Sequence, residues 1–127
     1  MTAPYQDFEV PEKLSKQIYD TVEKARDTGE IRQGVNEVTK ALERKNAELV
    51  IIATDVEPPE IVAHLPILSK EKETPYTFVP SQKELGLASG INVGSTSIAI
   101  TDEGEAKKEL EKIKEKTQEL KNEDEEE

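Results

Sequence analysis

The sequence predicts an α/β fold: a three-layer α/β/α sandwich around a small mixed four-stranded sheet. Two observations lead to this prediction. Short runs rich in β-branched residues alternate along the chain with amphipathic stretches of helical length. One run, residues 49–53, is apolar throughout, which is typical of a strand covered on both faces. A chain of 127 residues has room for one compact domain of this kind.

The first half of the chain is predicted to contain two helices and two strands. Apolar residues recur at helical spacing between Pro11, which suits the first turn of a helix, and Gly29, which suits its C-terminal stop. The spacing of apolar residues predicts, in order, a helix over 11–28, a brief edge strand over 30–33, a helix over about 35–45 and a central strand over 49–53.

The second half is predicted to add two helices and two strands. Helical spacing resumes at Ile61, and Pro66 is expected to kink this helix because it lacks a backbone N–H. Ser81 and Glu84 have the spacing of a capping box at the start of the next helix. The predicted elements are, in order, a helix over 61–68, a strand over 76–79, a helix from 81 to near 90 and a strand over 97–100.

The C-terminal residues carry a heptad-like stripe in an otherwise charged stretch. The stripe consists of Ala106, Leu110, Ile113, Thr117 and Leu120. It predicts either a terminal helix that packs on its own domain or a coil that binds a partner. We therefore divide the chain into a folded domain over 1–104 and a charged helical extension with an acidic tail over 105–127. Residues 122–127 are expected to be disordered.

Composition excludes several classes of function. The chain has no cysteine, which excludes disulfides, thiolate catalysis and cysteine-ligated metals. It starts without a signal-peptide pattern and has no apolar run near the roughly 18 residues that span a membrane, so a cytoplasmic location is expected. Of the net charge of −11, residues 101–127 contribute −6, from 12 acidic and 6 basic side chains. Net charge alone therefore does not decide the partner.

No constellation of residues predicts an enzyme. The single histidine, His64, lies in an apolar helical pattern, which favours a structural role. The glycines do not form a phosphate-binding loop, and the carboxylates are scattered among lysines without a recognisable pair of acid and base. We expect no catalytic residue, no metal site and no cofactor.

The segment after Gly34 is the most informative part of the chain. Asn36, Lys40 and Arg44 are one helical turn apart, opposite the apolar residues of the same helix, and Glu37 flanks this row. Amide, carboxylate and cationic side chains match the donors and acceptors of nucleic-acid base edges, and a helix N-terminus offers N–H groups to phosphate. The same spacing is also typical of an ordinary solvated helix face, so both interpretations stay open at this point.

A family resemblance supports the nucleic-acid interpretation. It is carried by three segments that follow one another within residues 10–104: GVNEVTKALER, AELVIIATDVEPPEIVAHLP and PYTFVPSQKELGLASGI. They resemble the kink-turn-binding family of ribosomal and guide-RNA proteins, and most of all its archaeal L-seven-Ae type, found in the large ribosomal subunit. The resemblance implies an α/β/α sandwich that binds kink-turns and kink-loops, in which tandem sheared G·A pairs lie beside a sharp bend in the RNA.

The resemblance assigns roles to the row of polar residues. Asn36, Glu37 and Lys40 would meet the sheared G·A pairs, with Glu37 accepting from guanine N–H groups and Lys40 donating to a guanine edge. Arg44 would hold a phosphate, and Gly34 opens the matching sequence element. The polar row therefore becomes the expected base-reading face.

Two further parts of the site follow from the resemblance. Glu57 and Ile61 match the family's pocket for a flipped-out nucleotide. The loop with Ile91, Asn92 and Val93 would cover extruded bases with apolar side chains.

The chain departs from the family at positions that contact phosphates. Many relatives have lysine at the positions of Gln33 and Gln82, and an Arg-Pro pair at 93–94. The neighbouring Arg32 and Lys83 are candidates to replace these contacts.

The resemblance also implies partners. These are ribosomal RNA, box C/D and H/ACA guide RNAs and ribonuclease P RNA, together with other proteins of the same particles. No membrane partner is expected, and the free chain is expected to be monomeric. The alternative from a different class is a protein–protein adaptor that acts through the C-terminal stripe and has weakened RNA binding at Gln33, Gln82 and 93–94.

Overall fold

A computed structural model describes residues 3–126 of the chain. It contains five α-helices, four β-strands and one 3₁₀ turn among these residues. The helices are α1 (Glu12–Thr28), α2 (Val35–Glu43), α3 (His64–Glu71), α4 (Gln82–Ala88) and α5 (Lys107–Glu126). The strands are β1 (Glu30–Gln33), β2 (Leu49–Ala53), β3 (Tyr76–Val79) and β4 (Ser97–Asp102), and the 3₁₀ turn is Pro59–Ile61.

The four strands form one mixed sheet in the order β1-β4-β2-β3. β4 runs antiparallel to both of its neighbours, whereas β2 and β3 are parallel. Helix α1 contacts α4 and α5 in one layer, and α2 contacts α3 in the other. The predicted α/β/α sandwich with a mixed four-stranded sheet is therefore confirmed. β1 lies at an edge and β2 lies inside the sheet, as their sequences predict.

The core is built from both faces of the sheet. Every residue of β2 is buried, because helices cover the sheet on both sides. Ile18 and Val22 of α1 and Val38 and Leu42 of α2 are fully buried in this core. Because the apolar residues of each helix share one buried face, its polar residues face solvent.

The start of α4 is fixed by the predicted cap. The Ser81 hydroxyl accepts a hydrogen bond from the Glu84 N–H at 3.1 Å. The Ser81 N–H donates to the Tyr19 hydroxyl at 3.3 Å, and this contact ties α4 to α1. The capping box is thus formed in one direction, and a tyrosine replaces its second half.

The predicted start of the third helix at Ile61 is wrong. Pro59–Ile61 form a separate 3₁₀ turn, and α3 begins only at His64. Pro66 therefore lies in the first turn of α3, where a backbone N–H has no intrahelical partner to lose. A proline at this position therefore costs α3 no intrahelical hydrogen bond.

The prediction of disorder over 122–127 is also wrong where the structure describes these residues. Helix α5 continues to Glu126, while Glu127 lies outside the described part. The Gln118 side chain donates to the Asn122 side chain at 3.0 Å, one helical turn further on. A polar pair at this spacing supports the end of an exposed helix.

The heptad-like stripe of α5 faces the protein's own core. Ala106, Leu110, Ile113 and Thr117 are buried, and Leu120 is half-buried against the same cluster. Helix α5 packs along α1, and Lys24 of α1 forms an ion pair with Glu109 at 2.6 Å. The boundary at residue 104 stays a prediction about function, since the hydrophobic core includes residues on both sides of it.

Candidate nucleic-acid interface

One edge of the sheet, formed by the C-terminal ends of β1, β2 and β3 and the N-terminal end of β4, brings together segments that are distant in the sequence. The Gly34 N–H donates to the Ser97 carbonyl at 2.9 Å, which places the start of α2 beside the start of β4. The Ala53 N–H donates to the Thr96 carbonyl at 3.0 Å, so the end of β2 reaches the same edge. The end of β3 joins it because β3 runs parallel to β2. Four segments therefore converge here: those that follow β1, β2 and β3, and the loop that precedes β4.

The predicted site residues lie on these converging segments or along α2. Gly34, Asn36 and Glu37 follow β1, Glu57 and Ile61 follow β2, Lys83 follows β3, and Ile91, Asn92 and Val93 precede β4. Arg32, Lys40 and Arg44 extend the surface along β1 and α2. The topology thus brings the residues after β1, β2 and β3 and before β4 to this edge, whereas Arg44 lies beyond the other end of α2.

Gly34 shapes the start of α2. Its φ of +89° lies in the left-handed region that side-chain-bearing residues rarely adopt. A Cβ added at this position would meet no protein atom within 4 Å, so the backbone is open to solvent. The N-cap residue of α2, Gly34, makes no side-chain capping bond, so the first N–H groups of the helix are open to solvent or a ligand.

The polar row is exposed, as its spacing predicts. Asn36, Lys40 and Arg44 lie on the solvent face, whereas Val38 and Leu42 are fully buried. This division follows from the 3.6-residue period of the helix.

A polar groove joins the row to β1. Its lining includes Arg32, Glu37, Lys40 and Arg44. Arg32 pairs with Glu30 at 3.1 Å between Nη2 and Oε1. Cations and carboxylates therefore alternate along this groove, and the site is not uniformly positive.

Two exposed apolar side chains lie on segments that converge at the same edge. Ile61 is 38% exposed and Val93 is 70% exposed. Ile91 is half-buried, and Asn92 and Glu57 are exposed. Unstacked bases can be covered by such exposed apolar groups, whereas a phosphate cannot.

Gln82 is occupied by intramolecular hydrogen bonds. Its backbone N–H donates to Asp55 Oδ1 at 3.0 Å, and its Nε2 donates to the Asp55 carbonyl at 3.0 Å. Its carbonyl accepts from the Ser95 N–H at 3.0 Å. Gln82 therefore joins α4 to the loops on either side of it. Nothing in the sequence indicated this role, because Asp55 lies 27 residues away.

His64 lies at the first position of α3 and is exposed. Its Nε2 is 2.9 Å from the Thr39 hydroxyl of α2. This hydrogen bond links the two helices of one layer. The histidine thus has a structural contact, although it does not lie within the apolar face that the sequence pattern suggested.

A pair of carboxyl groups lies at the opposite edge of the sheet. A hydrogen bond with Glu103 and burial raise the pKa of Glu48 to about 7. The pKa of Glu103 is lowered by the same hydrogen bond. Glu48 precedes β2 and Glu103 follows β4, so this pair is remote from the candidate interface.

Residues 3–126 contain no cluster of three or more histidine and carboxylate side chains that could hold a metal ion. Within the same residues, no helix has the length and apolar character needed to cross a bilayer.

The fold and the polar helix start at this edge define a known class of small α/β protein. The sequence profile of the Ribosomal protein L7Ae/L30e/S12e/Gadd45 family matches residues 16–110, and the chain belongs to this family. The solved structure of the Giardia lamblia 15.5kD RNA binding protein is similar, with a TM-score of 0.87 and 33% sequence identity. The superposition covers 92% of this chain and 98% of the Giardia chain.

Proposed function

We propose that this chain is a structural RNA-binding protein that recognises kink-turns and kink-loops through their sheared G·A pairs. The observation that carries the proposal is the exposed polar row on α2, set at an edge where four segments converge. Membership of the family and similarity to a protein described as RNA binding support the same function.

The first two turns of α2 carry the side chains that recognise the bases. The Glu37 carboxylate accepts hydrogen bonds from guanine N–H groups, and the Lys40 ammonium donates to a guanine edge. Asn36 offers both a donor and an acceptor beside them. The open backbone at Gly34 lets the RNA approach the helix N-terminus closely.

Phosphate contacts come from the ends of the same surface. Arg44 at the C-terminal end of α2 and Arg32 on β1 lie along the polar groove. Lys83, exposed in the first turn of α4, adds a third cation. Phosphate contacts of this kind position an RNA but do not specify its sequence.

The flanking apolar residues cover nucleotides that leave the helical stack. Ile61 and Glu57 form one side of this part of the site, and Ile91, Asn92 and Val93 form the other. RNA is commonly recognised through such unstacked bases, which pack on apolar or aromatic groups.

The RNA partners that we propose are ribosomal RNA, box C/D and H/ACA guide RNAs and ribonuclease P RNA. By binding a bent RNA element first, the protein would nucleate assembly of the other proteins of each particle. We also propose that the protein is archaeal, that it is located in the cytoplasm, that it is monomeric when free and that it has no catalytic activity. Functionally, residues 1–104 bind RNA and residues 105–127 form the extension.

The adaptor alternative requires a free C-terminal stripe. The stripe residues Leu110 and Ile113 are 1% exposed, since they pack in the core of their own domain. The alternative is therefore left without the face through which a partner would bind.

A gel-shift titration tests the proposed function. The full chain is titrated against a kink-turn RNA and against the same RNA with both G·A pairs replaced by Watson–Crick pairs. We expect binding to the kink-turn at concentrations at least about tenfold lower, which corresponds to about 1.4 kcal/mol. Equal affinity for the two RNAs, or no binding to either, would contradict the proposal.

A further inference from the structure

The loop over 90–96 connects α4 to β4 and carries the apolar part of the proposed interface. It has no regular secondary structure, and its residue Val93 is 70% exposed. A binding segment needs support from neighbouring side chains to hold one geometry. The Ser95 N–H fixes the end of the loop on the Gln82 carbonyl, and the contacts at its start fix the other end.

Two side chains donate hydrogen bonds to carbonyl groups at the end of α4, immediately before the loop. Arg26 Nη1 donates to the Ala88 carbonyl at 3.3 Å, and Gln33 Nε2 donates to the Ser89 carbonyl at 2.9 Å. The last carbonyls of a helix lack partners within the helix, so these bonds satisfy them. We call Arg26 and Gln33 the α4 clamp.

Arg26 is itself held in place. Its Nε and Nη2 lie 3.0 and 2.9 Å from Asp27 Oδ1. A Cβ added at Gly90 would lie 2.9 Å from Arg26 Cδ, so the arginine side chain passes directly beside the first residue of the loop. A guanidinium at the C-terminal end of α4 is also favoured by the helix dipole.

Gln33 connects the two halves of the interface. It immediately precedes Gly34, whose N–H is bonded to the Ser97 carbonyl, and its side chain reaches Ser89. The position of the loop is thereby tied to the N-terminus of α2.

The rest of the loop follows the end of α4. The Ile91 N–H donates to the Gly86 carbonyl at 3.0 Å. A Cβ added at Gly86 would lie 2.0 Å from the Val93 carbonyl oxygen, so loop and helix are in close backbone contact. A shift at the end of α4 would therefore be transmitted to Ile91 and Val93.

We propose that Arg26 and Gln33 are positioning residues for RNA recognition, which fix the 90–96 loop relative to the start of α2 without contacting RNA. This inference rests on the proposed function and deepens it. It also gives Gln33 a role other than the phosphate contact made by lysine in many relatives.

Hydrogen exchange in the free protein tests the clamp without RNA. Gln33→Met keeps the length of the side chain and removes its donor, and Gln17→Met, at an exposed position of α1, is the matched control. We expect the amides of Ile91 and Ser95 to exchange about three- to tenfold faster in Gln33→Met and in Arg26→Ala, since a hydrogen bond of ordinary strength is lost. The amides of β2 should not change. Unchanged exchange of Ile91 and Ser95 in folded variants would overturn the proposal.

A double-mutant cycle separates positioning from direct contact with RNA. Gln33→Met should weaken kink-turn binding about three- to tenfold in the wild-type chain. In a chain that already carries Ile91→Ala and Val93→Ala, the same change should cost less than about twofold. Equal losses in both backgrounds would show that Gln33 contacts RNA itself, contrary to the proposal. Failure of the proposed function appears separately, as wild-type protein that does not distinguish the kink-turn from its G·A-disrupted control.

Discussion

Glu37 and Lys40 form an ion pair in the free protein, with 3.4 Å between Oε2 and Nζ. Both side chains are about half exposed, at 49% and 55%. An exposed pair of this kind contributes little to stability. Breaking it so that both side chains can bind base edges would therefore cost little free energy. The pair also holds the carboxylate and the ammonium three residues apart on the exposed face of α2, where the proposed function needs an acceptor and a donor side by side.

Removing either member of this pair should weaken RNA binding without unfolding the protein. We expect Glu37→Ala and Lys40→Ala each to reduce the free energy of kink-turn binding by about 1 to 3 kcal/mol, the usual range for a good base contact. Both residues face solvent, so the melting temperature should stay close to that of the wild type. Binding is measured by gel shift, and folding by circular dichroism.

Glu43→Ala is the matched control for these variants. Glu43 is an exposed carboxylate at the end of the same helix and is outside the proposed base-reading face. It should bind as the wild type does. If Glu37→Ala and Lys40→Ala are folded and bind as tightly as Glu43→Ala, the start of α2 is not the base-reading face.

The fold could be predicted from the sequence in segments where a single apolar periodicity, of a strand or of a helix, dominates. β2 is apolar at five successive positions, and α1 repeats its apolar residues at helical spacing, so both were located within about one residue. The start of α3 was misplaced because Ile61 fits the helical spacing, while the Pro-rich segment before it forms a 3₁₀ turn instead.

The supporting contacts of the site could not be predicted from the sequence. Gln33 and Ser89 are 56 residues apart, and Arg26 and Ala88 are 62 apart. Such pairs leave no local pattern, since a side chain meets a backbone carbonyl whose residue type is irrelevant. The polar row was visible because a helix places its members on one face, whatever the rest of the chain does.

The C-terminal helix should contribute to stability through its buried stripe. Ile113 is 1% exposed in the core, and we expect Ile113→Ala to lower the free energy of unfolding by about 2 to 5 kcal/mol. Ile67 is 66% exposed on α3, so Ile67→Ala should change it by less than about 0.5 kcal/mol. Urea denaturation compares the two. Equal small effects would mean that α5 does not belong to the core.

The carboxyl pair at the opposite edge should make stability depend on pH. The pKa of Glu48 is about 7 in the folded protein, above its ordinary value of 4.5, so the folded state binds a proton that the unfolded state releases between these values. This contribution is complete below the ordinary pKa and is lost as pH rises through 7. The lowered pKa of Glu103 acts in the opposite sense, but only at more acidic pH.

Glu48→Gln tests this dependence, because the amide can still donate to Glu103 but cannot ionise. Its free energy of unfolding should change less between pH 6 and pH 8 than that of the wild type, and it should exceed the wild-type value at pH 8. Glu43→Gln removes an exposed carboxylate elsewhere and should keep the wild-type dependence. The same pH profile in both variants would show that the carboxyl pair is not its source.

Salt dependence should distinguish base reading from general attraction to phosphates. The proposed interface includes four exposed cationic residues: Arg32, Lys40, Arg44 and Lys83. Each phosphate neutralised contributes a slope of roughly −0.7 to −0.9 to log affinity against log salt, so we expect a total no steeper than about −4. Two of these cations are already paired with carboxylates, at 3.1 and 3.4 Å, which lowers the expected slope further. Kink-turn binding should therefore persist in potassium chloride at concentrations that abolish binding to plain duplex RNA. A slope near −8, or parallel losses on the two RNAs, would show that phosphate attraction dominates recognition.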